Sequence, residues 1–353
     1  MKILIFPGEC CPFHGKTLEE RPLGGTETAI IRLAEALHTL GEQVCVVTRE
    51  KEIPSSTPPY IHYSEVEKLG RFDAVLVVRD WKATFIPFKT DKIYLWTGDN
   101  WDNPHTFGIG DPRVYNHLQG LLTVSHWQAD TLAQTSGYPR EKISVLPNGI
   151  FLPYFQGHEQ RRKRMIYTAT PERGLVHLID IFPSLKAKHP DLELAVFSSF
   201  DRYLSEIPLV VRNDKPYFPI YEKLAQLPGV TIHQSVLQEE LARELMQSTL
   251  FAYPSHFEET SCISAMEAQA AGCVVVTSDL AALKETVGDA GIIISGDPAS
   301  TAYRQQFVEA CDRVLSNPAV FNELSQKGLA RAINNSWMER GKSLIHFLKG
   351  EEK

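Results

Sequence analysis

Three observations read this chain of 353 residues as an α/β protein of two domains. Short β-branched runs alternate with helical patterns along nearly the whole length, the signature of parallel strands joined by crossover helices. The length predicts two domains at roughly 100–200 residues each. Periodicity also stops once, after Pro147-Asn148-Gly149, and then restarts.

The first half reads as strands over 2–6, 43–48, 74–78, 92–96, 120–124 and 143–146. A helix over 26–40 carries Ile30, Leu33, Ala34 and Leu37 on one stripe, with Gly41 as its stop signal. Residues 153–164 lose all periodicity and include Arg161-Arg162-Lys163-Arg164, which reads as a solvated linker. Strands then follow over 165–168, 193–198, 230–233, 250–253 and 273–277. Helices are expected over 175–188, 239–247, from about Cys262, and over 334–349. The predicted organisation is a Rossmann-like domain over 1–152, a second over 165–333, and a terminal helix over 334–353. Two such halves leave a cleft at the carboxyl ends of their sheets, where open α/β folds place ligands.

Composition narrows the function classes. With 36 Lys+Arg against 43 Asp+Glu the formal charge is −7, which excludes a basic nucleic-acid binder. The first 152 residues hold 15 basic and 18 acidic side chains, so they carry −3 and the remainder −4. No apolar run approaches the ~18–20 residues of a spanning helix, and the opening Met1-Lys2-Ile3-Leu4-Ile5-Phe6 is shorter than a secretory h-region of ~7–15 residues. A cytoplasmic protein is expected, with membrane contact at most peripheral. The six scattered cysteines suit small core hydrophobes of a reduced compartment. No Asp-x-Asp occurs, so a closely spaced carboxylate pair of the kind that holds a divalent metal is missing. Metal-independent chemistry without a cofactor is expected.

The richest segment runs from Phe257 to Gly272 and carries two glutamates, Glu259 and Glu267, with seven residues between them. Thr260 and Ser261 read as helix N-cap residues. That puts Glu259 in a loop beside free helix N–H groups, an anion site. Glu267 then lies two turns inside the helix, able to accept from two vicinal hydroxyls, as on a ribose.

This Glu-x(7)-Glu spacing, followed by Ala268-Gln269-Ala270-Ala271-Gly272, resembles the signature of retaining glycosyltransferases of GT-B fold, family four. Gly24-Gly25-Thr26-Glu27, the stretch from Lys142 to Ile150, Pro171-Glu172-Arg173-Gly174-Leu175 and Val287-Gly288-Asp289-Ala290-Gly291 agree in order. The resemblance implies a nucleotide-sugar donor, UDP- or GDP-linked, on the second domain, and a last helix, over 334–353, that crosses back onto the first domain. Glu267 would meet the ribose, and the N–H groups of Ser261, Cys262 and Ile263 the diphosphate and sugar. Glu259 would meet a sugar hydroxyl, and Arg173 the leaving diphosphate. Gly24 and Gly25 let backbone approach the phosphates from the first domain, and Ser235-Val236 lie where main chain reads the base.

Two departures stand out. Thr168 occupies the place of a second family arginine, and Gly98 that of a family histidine. Asp99 survives to orient an acceptor hydroxyl, while His14, His105 and His126 are candidates for the missing imidazole. The reaction expected is retaining transfer of a hexose to a hydroxyl acceptor, small molecule or glycan, by front-face attack. A soluble acceptor is favoured over a lipid-linked one because the first domain lacks cationic charge. The alternatives are a sugar-nucleotide binding or scaffold protein that has lost the chemistry, and a nucleotide-sugar epimerase. The sequence is silent on oligomeric state.

Overall fold

The computed structural model describes residues 1–199 and 215–351, and the chain divides into two compact units, Met1–Gly149 with Ser336–Lys353, and Ile150–Asn335. Each is a parallel sheet flanked by helices.

In the first unit seven strands line up in the order β3-β2-β1-β4-β5-β6-β7. They are β1 (Lys2–Pro7), β2 (Gln43–Thr48), β3 (Tyr60–His62), β4 (Ala74–Val78), β5 (Ile93–Thr97), β6 (Gly120–Thr123) and β7 (Ile143–Val145). The runs are continuous and apolar because both faces are covered: all five residues of β4 and of β5 are buried. The helices are α1 (Thr17–Glu20), α2 (Gly25–Thr39), α3 (Pro112–Tyr115) and α4 (His126–Ser136). Helix α2 buries Ala29, Ile30, Leu33, Ala34 and Leu37 and ends at Gly41, whose φ of 91° only glycine adopts freely. The edge strand β3 was not among the expected strands, because it offers one aliphatic residue, Ile61, behind Pro58-Pro59.

Among the described residues the second unit holds six strands in the order β10-β9-β8-β11-β12-β13, again all parallel. They are β8 (Arg164–Tyr167), β9 (Glu193–Phe197), β10 (Val230–His233), β11 (Leu250–Tyr253), β12 (Val274–Ser278) and β13 (Gly291–Ile294). Its helices among the described residues are α5 (Leu178–Lys188), α6 (Phe218–Ala225), α7 (Gln238–Met246), α8 (Ile263–Ala270), α9 (Leu283–Val287), α10 (Thr301–Ser316) and α11 (Pro318–Asn334). The terminal helix α12 (Trp337–Lys349), grouped with the first unit, is capped by Ser336 and starts three residues later than its periodicity suggested. It lies against α2, where a Cβ on Gly341 would sit 2.9 Å from Leu40 Cδ1.

In both sheets the order reverses direction once, beside β1 and β4 in the first and beside β8 and β11 in the second. The crevice outside the carboxyl ends at such a reversal is the ligand position of open α/β sheets.

The linker expectation for Arg161–Arg164 is overturned. Arg161 donates to the carbonyls of Ser248 and Ala271 and lies over the Phe321 ring, and Arg164, 4% exposed, opens β8 and bonds Ser248 Oγ. Arg162 and Lys163 pair with Glu193 and Asp191. These guanidiniums supply donors to carbonyls at the amino end of the sheet, which a one-dimensional count of charge cannot distinguish from a solvated run. Five of the six cysteines are buried, Cys45 only partly, and all are free thiols.

Candidate functional site

In the second unit β8 feeds the loop 168–174 and β11 feeds the loop 254–262, so Arg173 and Glu259 descend on the crevice from its two sides. Their side chains meet: Arg173 Nη1 donates to Glu259 Oε1 at 2.7 Å, and the buried Tyr253 hydroxyl donates to the same oxygen. Glu259 is 4% exposed and its backbone carbonyl accepts from Ala282 N–H at 3.0 Å. Burial alone would lower the Arg173 pKa, but Glu259 and, behind it, Tyr253 and Glu172 hold it well above the ordinary value. The guanidinium also lies 4.4 Å from the centre of the Phe257 ring, a cation–π contact. The crevice therefore presents a permanent cation on a buried carboxylate.

Glycine at 174 is required where these loops touch. Its φ is 120°, and a Cβ there would fall 2.3 Å from the Pro254 carbonyl oxygen. The helix expected over 175–188 accordingly opens as a 3₁₀ turn, Leu175–His177, before α5.

The N-cap of the Glu267 helix differs from the sequence reading. Cys262, not Thr260 or Ser261, is the cap of α8, and its side chain makes no capping bond. Thr260 and Ser261 belong to the loop ahead of it, because the chain must travel from the β11 end before it turns helical. Ser261 is partly exposed and Cys262 is buried, with burial and then Glu259 pushing its thiol pKa up. Ser264 Oγ donates to the Thr168 carbonyl at 3.3 Å, tying the first turn of α8 to the end of β8. Glu267, 6% exposed, accepts from Gln238 Nε2 at 2.6 Å. A carboxylate only accepts, so the amide orientation of Gln238 follows: its Oε1 points away from Glu267. Ser235 and Val236 lie in the partly buried loop between β10 and α7.

Among the described residues several buried polar atoms near these strand ends have no hydrogen-bond partner: Thr168 Oγ1, Arg173 Nε, Ser198 Oγ and Gln238 Oε1. Each follows β8 or β9 or opens α7. Such a group costs roughly 1–3 kcal/mol unless something satisfies it, and their grouping makes this crevice the candidate ligand position.

In the first unit Gly24 is the N-cap of α2, and no side chain caps this helix, so the pair Gly24-Gly25 leaves the backbone open at a helix start. Asp99 is already committed: Oδ2 accepts from Arg79 Nε at 3.0 Å and Oδ1 from Asn103 Nδ2 at 3.1 Å. Arg79, which the sequence reading missed, stands at the carboxyl end of β4 with φ 74°, a conformation rare outside glycine. Burial lowers its pKa, but Asp99, then Cys10, outweigh that and raise it overall. A Cβ on Gly98 would find nothing nearer than the Val124 methyls at 3.8 Å, so space did not exclude a larger residue there. Of the candidate imidazoles, His14 is tied to Lys16 N–H and Glu20. His126 opens α4, and His105 lies 3.9 Å from Glu9 with its Nδ1 buried and without a hydrogen bond.

Sequence reasoning also missed Tyr253, Phe257, Gln238 and a pair of histidines, His177 and His256, whose Nε2 and Nδ1 lie 2.9 Å apart. The available signal was position: each lies within a few residues of Arg173, Glu259 or the base loop.

Residues 163–317 match the family model of glycosyl transferases group 1. The MMP alpha-(1->4)-mannosyltransferase of Mycolicibacterium hassiacum is 28% identical over 63% of this chain and 51% of its own length. A D-inositol 3-phosphate glycosyltransferase of Nocardioides sp. is 26% identical over 84% of this chain and 69% of its own. The chain spans about half the length of the first of these, and 53% of the corresponding Segniliparus rotundus enzyme. Among solved structures, Anabaena HepE in complex with UDP is similar with a TM-score of 0.73 at 14% identity, over 99% of this chain and 100% of that one. The sucrose-phosphate synthase of Thermosynechococcus elongatus has a TM-score of 0.71 at 15% identity over 99% of both chains. The two parallel sheets are thus those of the GT-B fold, and the match to the glycosyl transferases group 1 family lies within the second unit.

Proposed function

We propose that the chain is a retaining glycosyltransferase that moves a hexose from a UDP- or GDP-sugar to a hydroxyl acceptor without a metal. The observation that carries this reading is the Arg173–Glu259 pair at 2.7 Å in the sheet-reversal crevice, 86 residues apart in sequence. The names of similar proteins support the donor class: one relative is described as GDP-mannose-dependent and a similar structure holds UDP-glucose.

The roles follow from charge and hydrogen-bond capacity. Arg173, permanently cationic, neutralises the leaving diphosphate. The uncapped N-terminal N–H groups of α8, at Cys262 and Ile263 with Ser261 before them, add donors of the same sign. Glu267, oriented by Gln238, accepts from the ribose hydroxyls, and Glu259 accepts from a hydroxyl of the sugar. In front-face attack the bond from the anomeric carbon to the diphosphate oxygen breaks as that to the acceptor oxygen forms. The acceptor proton passes to the departing diphosphate, which needs no carboxylate nucleophile. The absence of Asp-x-Asp from the sequence is in keeping with a leaving group held by Arg173 and helix N–H groups.

The test is product analysis with UDP- and GDP-hexoses against a panel of glycoside acceptors, with the new linkage assigned by NMR. Transfer with retained anomeric configuration is expected. An inverted product refutes the retaining assignment. An isomerised donor without acceptor points to an epimerase, and nucleotide binding without turnover to a binding protein.

A further inference from the structure

The loops that carry Arg173 and Glu259 are joined by a contact no expected role requires. His177 Nε2 and His256 Nδ1 are 2.9 Å apart, and the rings are perpendicular with centroids 5.1 Å apart. A bond at this distance needs complementary tautomers: either His177 Nε2–H donates to a bare His256 Nδ1, or His256 Nδ1–H donates to a bare His177 Nε2. His177 is buried at the end of the loop after Arg173, and its backbone N–H bonds the Gly174 carbonyl at 3.1 Å. His256 is exposed and stands three residues before Glu259.

The contact lies where it can fix the guanidinium. Phe257, next to His256, is the ring beneath Arg173, and its main chain is held on both sides by Ser255 Oγ. Gly174, next to Arg173, is pressed against Pro254. The histidine pair thus ties the far side of each loop, and between it and the Gly174–Pro254 contact the Arg173 backbone has little freedom. The other charged groups facing His177 are Asp180 on α5, Asp297 after β13 and Arg304 on α10. Asp180 and Arg304 are themselves paired, so they leave the imidazoles to each other.

We propose that His177 and His256 are positioning residues, a clasp whose N–H···N bond holds the loops so that Arg173 stands where a donor's β-phosphate arrives. This rests on the reading of Arg173 as the diphosphate ligand. A clasp that acts through Arg173 changes recognition of the β-phosphate and nothing else, whereas a structural role changes all nucleotides alike.

The experiment is calorimetric titration at pH 8 with UDP, UMP, GDP and GMP, on the wild-type chain, His256→Ala and His256→Asn. Wild type is expected to prefer the diphosphate of one base over its monophosphate. In His256→Ala that preference falls about tenfold, since small misplacements of a charge-binding group are expensive, with monophosphate affinity and melting temperature unchanged. His256→Asn, whose amide can occupy the Nδ1 position, restores most of it. Equal weakening of mono- and diphosphate in His256→Ala, or no change in either, overturns the clasp and leaves the donor site standing. Failure of the wild type to bind any of the four removes the donor site and the clasp with it.

Discussion

Replacing Arg173 by Ala has two separable consequences, because the side chain both faces the ligand crevice and neutralises a buried acid. Glu259 has a side chain only 5% exposed, against 29% for Arg173. Removing one partner of a buried ion pair typically costs about 3–5 kcal/mol. Here the Tyr253 hydroxyl still donates to Glu259 and part of the lost guanidinium was wet, so the expected loss is about 2–3 kcal/mol. For a unit of 150–250 residues each kcal/mol moves the melting temperature by roughly 2–4 °C, so thermal unfolding followed by circular dichroism should drop by about 4–12 °C. The double variant Arg173→Ala/Glu259→Gln removes the orphaned charge and should regain more than half of that loss. Its transfer activity should stay as low as that of Arg173→Ala. If the double variant is no more stable than the single one, the cost does not come from an unpaired carboxylate and the electrostatic reasoning fails.

Other outcomes follow from the same structure. Gly174→Ala combines a φ of 120° with a Cβ 2.3 Å from the Pro254 carbonyl oxygen, so urea unfolding should show upwards of ~3 kcal/mol lost; a loss under ~1 kcal/mol would mean the loops separate at no cost. Burial, then His256, lowers the His177 pKa from 6.5 to about 4. The unfolded state therefore binds more protons between those values, and stability is full above pH 6.5 and falls as pH drops towards 4, by about 3 kcal/mol. His177→Phe should show that much less acid loss between pH 7.5 and 4, and an identical slope would rule the histidine out as its source. Arg161→Ala should cost about 2 kcal/mol through two carbonyl bonds and the Phe321 contact, whereas Arg162→Ala, whose partner Glu193 is half exposed, should stay within ~0.5 kcal/mol. Equal effects on denaturation would restore the solvated-linker reading of the whole run.

Much of the architecture was legible because burial on both faces of a parallel sheet writes continuous apolar runs into the chain, as in β4 and β12. Strand β3 was not, with Ile61 as its one aliphatic residue, and β13, α10 and α11 were overlooked between motifs. The motif order located Arg173, Glu259 and Glu267 along the sequence. Their pairing was hidden: Arg173 reaches Glu259 across 86 residues and Gln238 reaches Glu267 across 29, and such contacts depend on which strands neighbour each other. The N-cap was misplaced for a local reason. Thr260 and Ser261 have the right chemistry, but the loop from β11 needs two more residues before helical φ and ψ begin. Arg79 escaped notice because a left-handed arginine has no signature in composition or period.

The central claim is that the crevice at the β8–β11 reversal binds a nucleoside diphosphate through Glu267 and Arg173. It is tested most directly by calorimetric titration of wild type and Glu267→Ala with UDP and GDP. One nucleotide should bind the wild type and lose at least about tenfold in affinity in Glu267→Ala, as expected when a charged hydrogen-bonding group is removed. Binding of neither nucleotide to the wild type, or equal affinity in both proteins, would contradict the account.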